Sequence, residues 1–284
     1  MNEDEKWRPV VPTGREDILN EEFPSYLREA VFPWLAKQAK VNGGWVYADF
    51  FVEFQNSYRD SIGFQSGGYH DWRNTILPHI RTLDDEDFTN IIDFALSRSR
   101  YRSSNEELEN SLSNGGSAWT IMPWGTNANR LARRVAPGVM NSVRPALSAQ
   151  DSASIKLQEA WHDAYGVAPR ASTAFFHAVV AVEIAALSVI DAGTDEPTMA
   201  NLFSILESPK PKWQLVFRDN EKAPGGKTLA AMLRTLWRGH GSRHGSADYK
   251  DATLNEARAA VILAATLVQW FTSGVIVKVD AEHN

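Results

Sequence analysis

The sequence predicts a mainly α-helical fold from the spacing of its apolar residues and from its helix-capping residues. Between residues 21 and 40, apolar side chains recur every three to four positions, which is the period of one helix face. A Thr253-x-x-Glu256 capping box, typical of a helix start, precedes a long Ala-rich segment. Strand-like sequence is confined to the middle of the chain. We therefore expect a helical module on each side of a short β-hairpin.

Four helices are predicted in the N-terminal half. Each combines apolar residues at helical spacing with a flanking break, and Asp84 is placed to cap the last of them. The glycines at 43–44 and within 63–68 separate the first three. The predicted ranges are 21–40, 47–58, 71–81 and 85–100.

A change in character near residues 115–136 predicts the hairpin. Gly115 and Gly116 precede a Trp- and Ile-containing run at 117–122, and a second short apolar run follows at 131–135. We place the domain boundary just after this hairpin, which gives an N-terminal module at 1–145 and a C-terminal module at 146–284.

The C-terminal half is predicted to be a four-helix bundle. The segment 172–190 is apolar on nearly all sides, so this helix should be buried, and packing four helices together is the simplest way to cover the remaining apolar faces. The predicted helices are 152–165, 172–190, 228–237 and 253–271.

Composition restricts the chemistry. The 284 residues are 43% hydrophobic and include ten Trp and thirteen Phe, enough for a globular core, and they contain no cysteine. Thiol nucleophiles, thiolate metal sites and disulfides are therefore excluded. The first residues are charged, and no run approaches the roughly eighteen apolar residues that a membrane span needs. We expect a cytoplasmic protein with no membrane contact and no cofactor.

The segment from Leu233 to Gly245 concentrates three arginines and two histidines. Between Lys227 and Lys250 there are five cations and one carboxylate, a net charge of +4 in a chain whose total charge is −6. Imidazole titrates near neutral pH and guanidinium grips phosphate oxygens, so this pairing suits phosphodiester chemistry. The alternative is that these cations lie at the end of a helix and compensate the negative end of the helix dipole.

Other interpretations of this region are weaker. His240 and His244 are spaced like zinc ligands, but the surrounding glycines disfavour a helix there and no third ligand lies nearby, so we expect no metal site. The Gly225–Thr228 run ends like a phosphate-binding loop, yet Glu221 stands where that motif requires glycine.

Arg238-x(5)-His244, followed by a turn glycine and a long Ala-rich helix, resembles the motif of the HEPN superfamily. The layout is particularly similar to the C-terminal modules of abortive-infection proteins, over about residues 146–275. The resemblance implies a metal-independent endoribonuclease, a hydrolase that leaves 2′,3′-cyclic phosphate ends and acts as a toxin or in antiviral defence. His244 would act as acid or base, and Arg238 would hold the scissile phosphate.

The resemblance also implies partners. RNA would be the substrate, a homodimer would bring two motifs to one cleft, and a phage-derived or protein trigger would be read by the N-terminal module. An acidic residue on an earlier helix commonly orients the motif, and Glu183 is the candidate because a carboxylate in an apolar helix needs a partner. A structural ion pair is the alternative role for Glu183.

Two alternatives stay open within the motif. Arg234-x(5)-His240 has the same spacing, and His240, Arg243 and Arg234 are further candidates for phosphate binding. Gly239 follows the motif arginine, where the superfamily typically has Asn, Asp or His. This departure favours a second hypothesis, an inactive HEPN-like module that binds RNA or protein. A purely structural dimerisation protein is the third.

Overall fold

The structure is a computed structural model that describes residues 18–65, 67–99, 102–125, 127–239 and 250–279. The chain divides into two units, one ending at Arg134 and the other beginning at Val135. Most of the described residues are helical, as the sequence predicts, and the strands form small antiparallel pairs.

The first unit is built from short helices and two β-ribbons. Its helices are α1 (Ser25–Gln38), α2 (Asp49–Tyr58), α3 (Leu77–Thr82), α4 (Asp85–Arg98) and α5 (Arg102–Asn114). Its strands are β1 (Trp45–Tyr47), β2 (Tyr69–Asp71), β3 (Trp119–Trp124) and β4 (Ala128–Arg133). In each ribbon, β1–β2 and β3–β4, the strands run antiparallel.

Helix α4 begins where the sequence indicates. The Asp84 side chain accepts a hydrogen bond from the Asp87 amide at 2.8 Å, and the acidic first turn complements the positive end of the helix dipole. The Phe88 ring of α4 packs edge-on against Phe23 and Phe32, at centroid distances of 5.1 and 6.0 Å. These rings form a core between α1 and α4.

The ribbon of β3 and β4 lies in the segment for which a hairpin was predicted. The buried Asp93 side chain attaches the ribbon to α4: it accepts one hydrogen bond from the Leu131 amide at 2.7 Å and another from Arg130 Nε at 2.8 Å. A buried carboxylate thus joins α4 to β4.

Three features of this unit were not predicted. The β1–β2 ribbon forms because Gly43 and Gly44 adopt positive φ angles and permit a turn before Trp45. The predicted helix 71–81 instead starts as the end of β2 and continues as a π-helical turn, Trp72–Ile76, into α3. Helix α5 is polar and lacks a strong apolar period, so no helix was predicted there.

The second unit is also mainly helical. Its helices are α6 (Pro137–Ser148), α7 (Ser152–Tyr165), α8 (Ala171–Val189), α9 (Met199–Leu206), α10 (Gly225–Gly239) and α11 (Leu254–Thr272). Its strands β5 (Trp213–Leu215) and β6 (Ile276–Lys278) form an antiparallel ribbon that was not predicted. The predicted boundary between 145 and 146 falls inside α6, which packs on α7 and α11. The observed division precedes this helix.

Helix α8 lies at the centre of the second unit and packs against α7 and α11. Eight of its residues are buried, mostly alanine and valine, as the apolar sequence predicts. By length and composition alone it is also long and apolar enough to cross a bilayer, a test that the core helices of folded proteins pass as well, so the expectation of no membrane contact stays a prediction. Its contacts with α7 and α11 bury part of its apolar surface within the fold.

Helix α10 differs from its predicted place in a four-helix bundle. Its main neighbours are α9 and β5, whereas α7, α8 and α11 pack chiefly on one another and on α6. The four predicted helices are present, but α10 lies mainly on a smaller layer of α9 and the β5–β6 ribbon.

Candidate functional site

Helix α10 presents the first part of the predicted motif. Arg234 and Arg238 lie one turn apart on it, near its end at Gly239. Side chains at positions i and i+4 share one helix face, so the two guanidinium groups are neighbours on the surface of α10. An arginine near a helix C-terminus also compensates the negative end of the helix dipole.

Arg234 is committed to a structural contact. Its Nη2 donates to Glu207 Oε2 at 2.8 Å and its Nη1 donates to Glu207 Oε1, a two-point ion pair. The guanidinium also lies 4.6 Å from the centre of the Phe203 ring. The hydrogen bond from Arg234 lowers the pKa of Glu207 from its ordinary value. A phosphate bound by Arg234 would have to displace this carboxylate.

Arg238 is placed differently. Its side chain is exposed, and among the described residues it makes no hydrogen bond or ion pair. It acts on Glu207 only through its charge, which together with that of Lys227 contributes to lowering the pKa of Glu207. Of the two arginines, Arg238 is therefore the one whose guanidinium can meet an anion without breaking a contact that the structure describes.

The remaining motif residues, His240, Arg243 and His244, lie outside the described residues. The pairing of Arg238 with His244 is accordingly still a prediction. The description resumes at Lys250. Just beyond it, Asp251 accepts a hydrogen bond from Ser172 Oγ at 2.8 Å. The Ala252 amide in turn donates to Ser172 Oγ at 3.1 Å. The chain before α11 is thus attached to the first turn of α8.

Glu183 has a partner that the sequence did not suggest. Its Oε1 accepts a hydrogen bond from the Met199 amide, the first residue of α9. A carboxylate at a helix N-terminus satisfies a backbone donor and faces the positive end of the dipole. Within the described ranges, Glu183 forms no hydrogen bond or ion pair with an arginine or a histidine. The contact that the structure shows for Glu183 is therefore a structural one, a cap on the N-terminus of α9.

A buried carboxylate network in the same unit was not predicted. Asp163 of α7, whose side chain is 2% exposed, accepts hydrogen bonds from Arg170 Nε and His177 Nδ1, each at 2.9 Å. The other ring nitrogen, Nε2 of His177, lies 3.5 Å from Glu159. Asp163 thereby fixes the orientation of an imidazole at the α7–α8 hairpin.

No local motif could have identified this network. Asp163 and His177 are fourteen residues apart and meet only because α8 folds back along α7. The usable signal is weaker: Asp163 lies close in sequence to the apolar residues Ala160, Trp161 and Ala164, and a carboxylate requires a partner when it is buried among such residues. The network can hold an imidazole in place and can anchor the start of α8.

Two other kinds of site lack support in the described part of the chain. No group of three or more His, Asp or Glu side chains there is placed to hold a metal ion. The Gly225–Thr228 run forms the first turn of α10, and the Gly225 amide donates to Asp219 Oδ1 at 2.6 Å. The Gly225 amide, which a phosphate-binding loop would offer to its ligand, is therefore already hydrogen-bonded to a carboxylate of the chain.

Comparison with known proteins adds no relative. No protein-family model matches the chain, and no curated protein and no solved structure matches it either.

Proposed function

We propose that the second unit is a metal-independent endoribonuclease of the HEPN type, which acts in phage defence or growth arrest. The observation that carries the proposal is the contrast between the two arginines of α10. Arg234 is held by Glu207 and Phe203, whereas exposed Arg238 has no such partner in the described structure. Arg238 is also the arginine with the motif spacing to His244 that the resemblance requires.

The proposed reaction needs only groups from this chain. His244 accepts the proton of the ribose 2′-hydroxyl, and the 2′-oxygen attacks the adjacent phosphorus. The bond from phosphorus to the 5′-oxygen breaks, and a protonated motif histidine donates a proton to that oxygen as it leaves. The products carry a 2′,3′-cyclic phosphate and a 5′-hydroxyl. RNA is the substrate because DNA lacks the attacking hydroxyl.

Arg238 has a specific electrostatic task in this scheme. The end of α10 carries the negative partial charge of the helix dipole, which opposes phosphate binding. A guanidinium at that end reverses the local sign and can hold two phosphate oxygens while negative charge builds on them. A homodimer would place two such motifs at one cleft, and this is part of the proposal.

Expression of variants tests the proposal. Wild type should arrest growth and degrade cellular RNA, and Arg238→Ala and His244→Ala should do neither. Arg144→Ala, which removes an exposed arginine of α6, is the matched control and should behave as wild type. Circular dichroism checks that each variant folds. Arrest by all four proteins would contradict the assignment of Arg238 and His244.

Glu183→Gln separates a positioning role from a structural one. The glutamine amide oxygen can still accept the hydrogen bond from Met199, so the cap on α9 is kept while the charge is lost. Loss of RNA cleavage with unchanged thermal stability would assign Glu183 to the site. Unchanged cleavage would leave it with the capping contact alone.

A second candidate function is an inactive HEPN-like module that binds RNA or protein. It is favoured by Gly239, which ends α10 and offers no polar side chain beside Arg238. Such a module would bind RNA in a manner that depends on Arg238 and would leave the RNA intact. Binding without cleavage by the wild type would therefore select this alternative.

A further inference from the structure

The first unit contains a large cleft that the proposed ribonuclease site does not use. Its volume is about 1830 Å³, and its walls include the end of α1, the β1–β2 ribbon and part of α4. Sites for small molecules usually occupy about 300–1,000 Å³. The cleft is therefore of a size that takes a segment of a polymer.

Three aromatic side chains at this cleft face outward. Trp45 is 52% exposed, Tyr47 is 45% exposed and Tyr69 is 72% exposed. Val46, between the first two, is fully buried, so alternation along β1 directs Trp45 and Tyr47 to the opposite face. Tyr47 pairs with Tyr69 across the ribbon, and their rings meet edge-on at 5.2 Å. These three exposed rings form one aromatic surface, and they are not part of the buried core.

The charges of the cleft do not favour a strongly anionic ligand. Its lining holds three cations and three carboxylates, and two of the pairs are closed within the wall: Lys37 with Glu107 at 2.6 Å and Arg98 with Glu53 at 2.7 Å. Grooves that bind single-stranded nucleic acid combine stacking aromatics with an excess of positive charge. This cleft has the aromatics without the excess.

A peptide fits this combination better. Its backbone is uncharged, and grooves lined by Trp and Tyr receive extended proline-containing segments, with the ring faces against proline and the polar tips against backbone carbonyls. Lys40 and Asp49 are exposed at the cleft and form no ion pair among the described residues. They can meet one charged side chain of each sign.

We propose that this cleft binds an extended, proline-containing segment of a partner protein, with the Trp45–Tyr47–Tyr69 surface as its main contact. The inference is independent of the ribonuclease proposal, because every residue that it uses belongs to the first unit. It assigns the N-terminal half a recognition site for protein and not for RNA.

Selection of a random dodecapeptide phage library on the full-length protein tests this. Enriched peptides should contain proline, and their affinity should fall at least about tenfold for the Trp45→Ala/Tyr69→Ala double variant, since such aromatic contacts dominate binding. Phe217→Ala removes an equally exposed aromatic ring from the second unit and should leave binding unchanged. Circular dichroism and urea unfolding confirm that both variants fold.

Three results would overturn the proposal. One is the absence of enriched peptides, and another is enriched peptides that bind the wild type and the double variant equally. The third is tight binding of fluorescein-labelled dodecauridine that the double variant loses, because the cleft would then be a nucleic-acid site. Catalytic activity enters none of these readouts, so failure here is separate from failure of the ribonuclease assignment.

Discussion

Arg234 and Glu207 form a two-point ion pair that joins α10 to the end of α9, with Arg234 Nη2 2.8 Å from Glu207 Oε2. Arg238, one turn further along α10, makes no comparable contact in the described part of the chain. Two arginines of one helix face thus have different tasks. The first holds the helix in place, and the second is available for a ligand.

This difference predicts opposite results for two otherwise equal substitutions. Arg234→Ala should lower the midpoint of thermal unfolding, because it removes the ion pair with Glu207 and the contact with Phe203. Arg238→Ala should change the unfolding free energy by no more than about 0.5 kcal/mol, as is usual for an exposed side chain. Thermal and urea unfolding measure both. A larger loss for Arg238→Ala than for Arg234→Ala would contradict the assignment.

The same ion pair should depend on pH. Arg234 holds the pKa of Glu207 below its ordinary value of 4.5, so the folded state binds the proton less readily than the unfolded chain. The pair therefore stabilises the fold above that value, and its contribution is lost as pH falls through the lowered pKa. Urea unfolding of wild type and Glu207→Gln at neutral pH and at a series of pH values below 4.5 checks this. The difference in unfolding free energy should be largest at neutral pH and should narrow as the pH falls; a difference that stays constant would refute the prediction.

The Asp163 network predicts a second stability effect. Arg170→Ala leaves the buried Asp163 carboxylate with His177 as its remaining side-chain partner, which should cost about 1–3 kcal/mol. Arg144→Ala, an exposed arginine without such a contact in the described chain, is the control and should be nearly neutral. Urea unfolding distinguishes the two. Equal stability of both variants would mean that Arg170 does not satisfy Asp163 in solution.

A third effect concerns the first unit. Asp93→Ala removes the acceptor of both the Leu131 amide and the Arg130 guanidinium, so the β3–β4 ribbon loses its fastening to α4. We expect a loss of roughly 3–5 kcal/mol, the range seen when one partner of a buried pair is deleted. Hydrogen exchange should show reduced protection at Leu131. Glu86→Ala, an exposed change in the same helix, serves as the control. Retained protection at Leu131 in Asp93→Ala would exclude the fastening role.

Local patterns were sufficient for most of the helices. Asp84 and Thr253 mark the starts of α4 and α11 because a side-chain cap acts within four residues of itself. The hydrophobicity of α8 likewise predicted its burial. Each of these signals is contained in the segment that it describes.

Contacts between distant segments could not be derived in the same way. Asp163 meets His177 only through the α7–α8 hairpin, and Glu183 caps α9 only through the packing of α8. Arg234 fitted a motif spacing equal to that of Arg238, and only the position of Glu207 separates their roles. A spacing identifies candidate residues, but their partners depend on tertiary packing.

The most direct test of the ribonuclease assignment is cleavage of a 5′-labelled single-stranded RNA by the purified full-length protein in EDTA, with analysis of the product ends. We predict 2′,3′-cyclic phosphate and 5′-hydroxyl ends for wild type and Arg144→Ala, and no cleavage for Arg238→Ala and His244→Ala. An RNA with a 2′-deoxy sugar at the cleaved position should also stay intact. Cleavage that persists in both motif variants, or products with 3′-hydroxyl ends, would contradict the account.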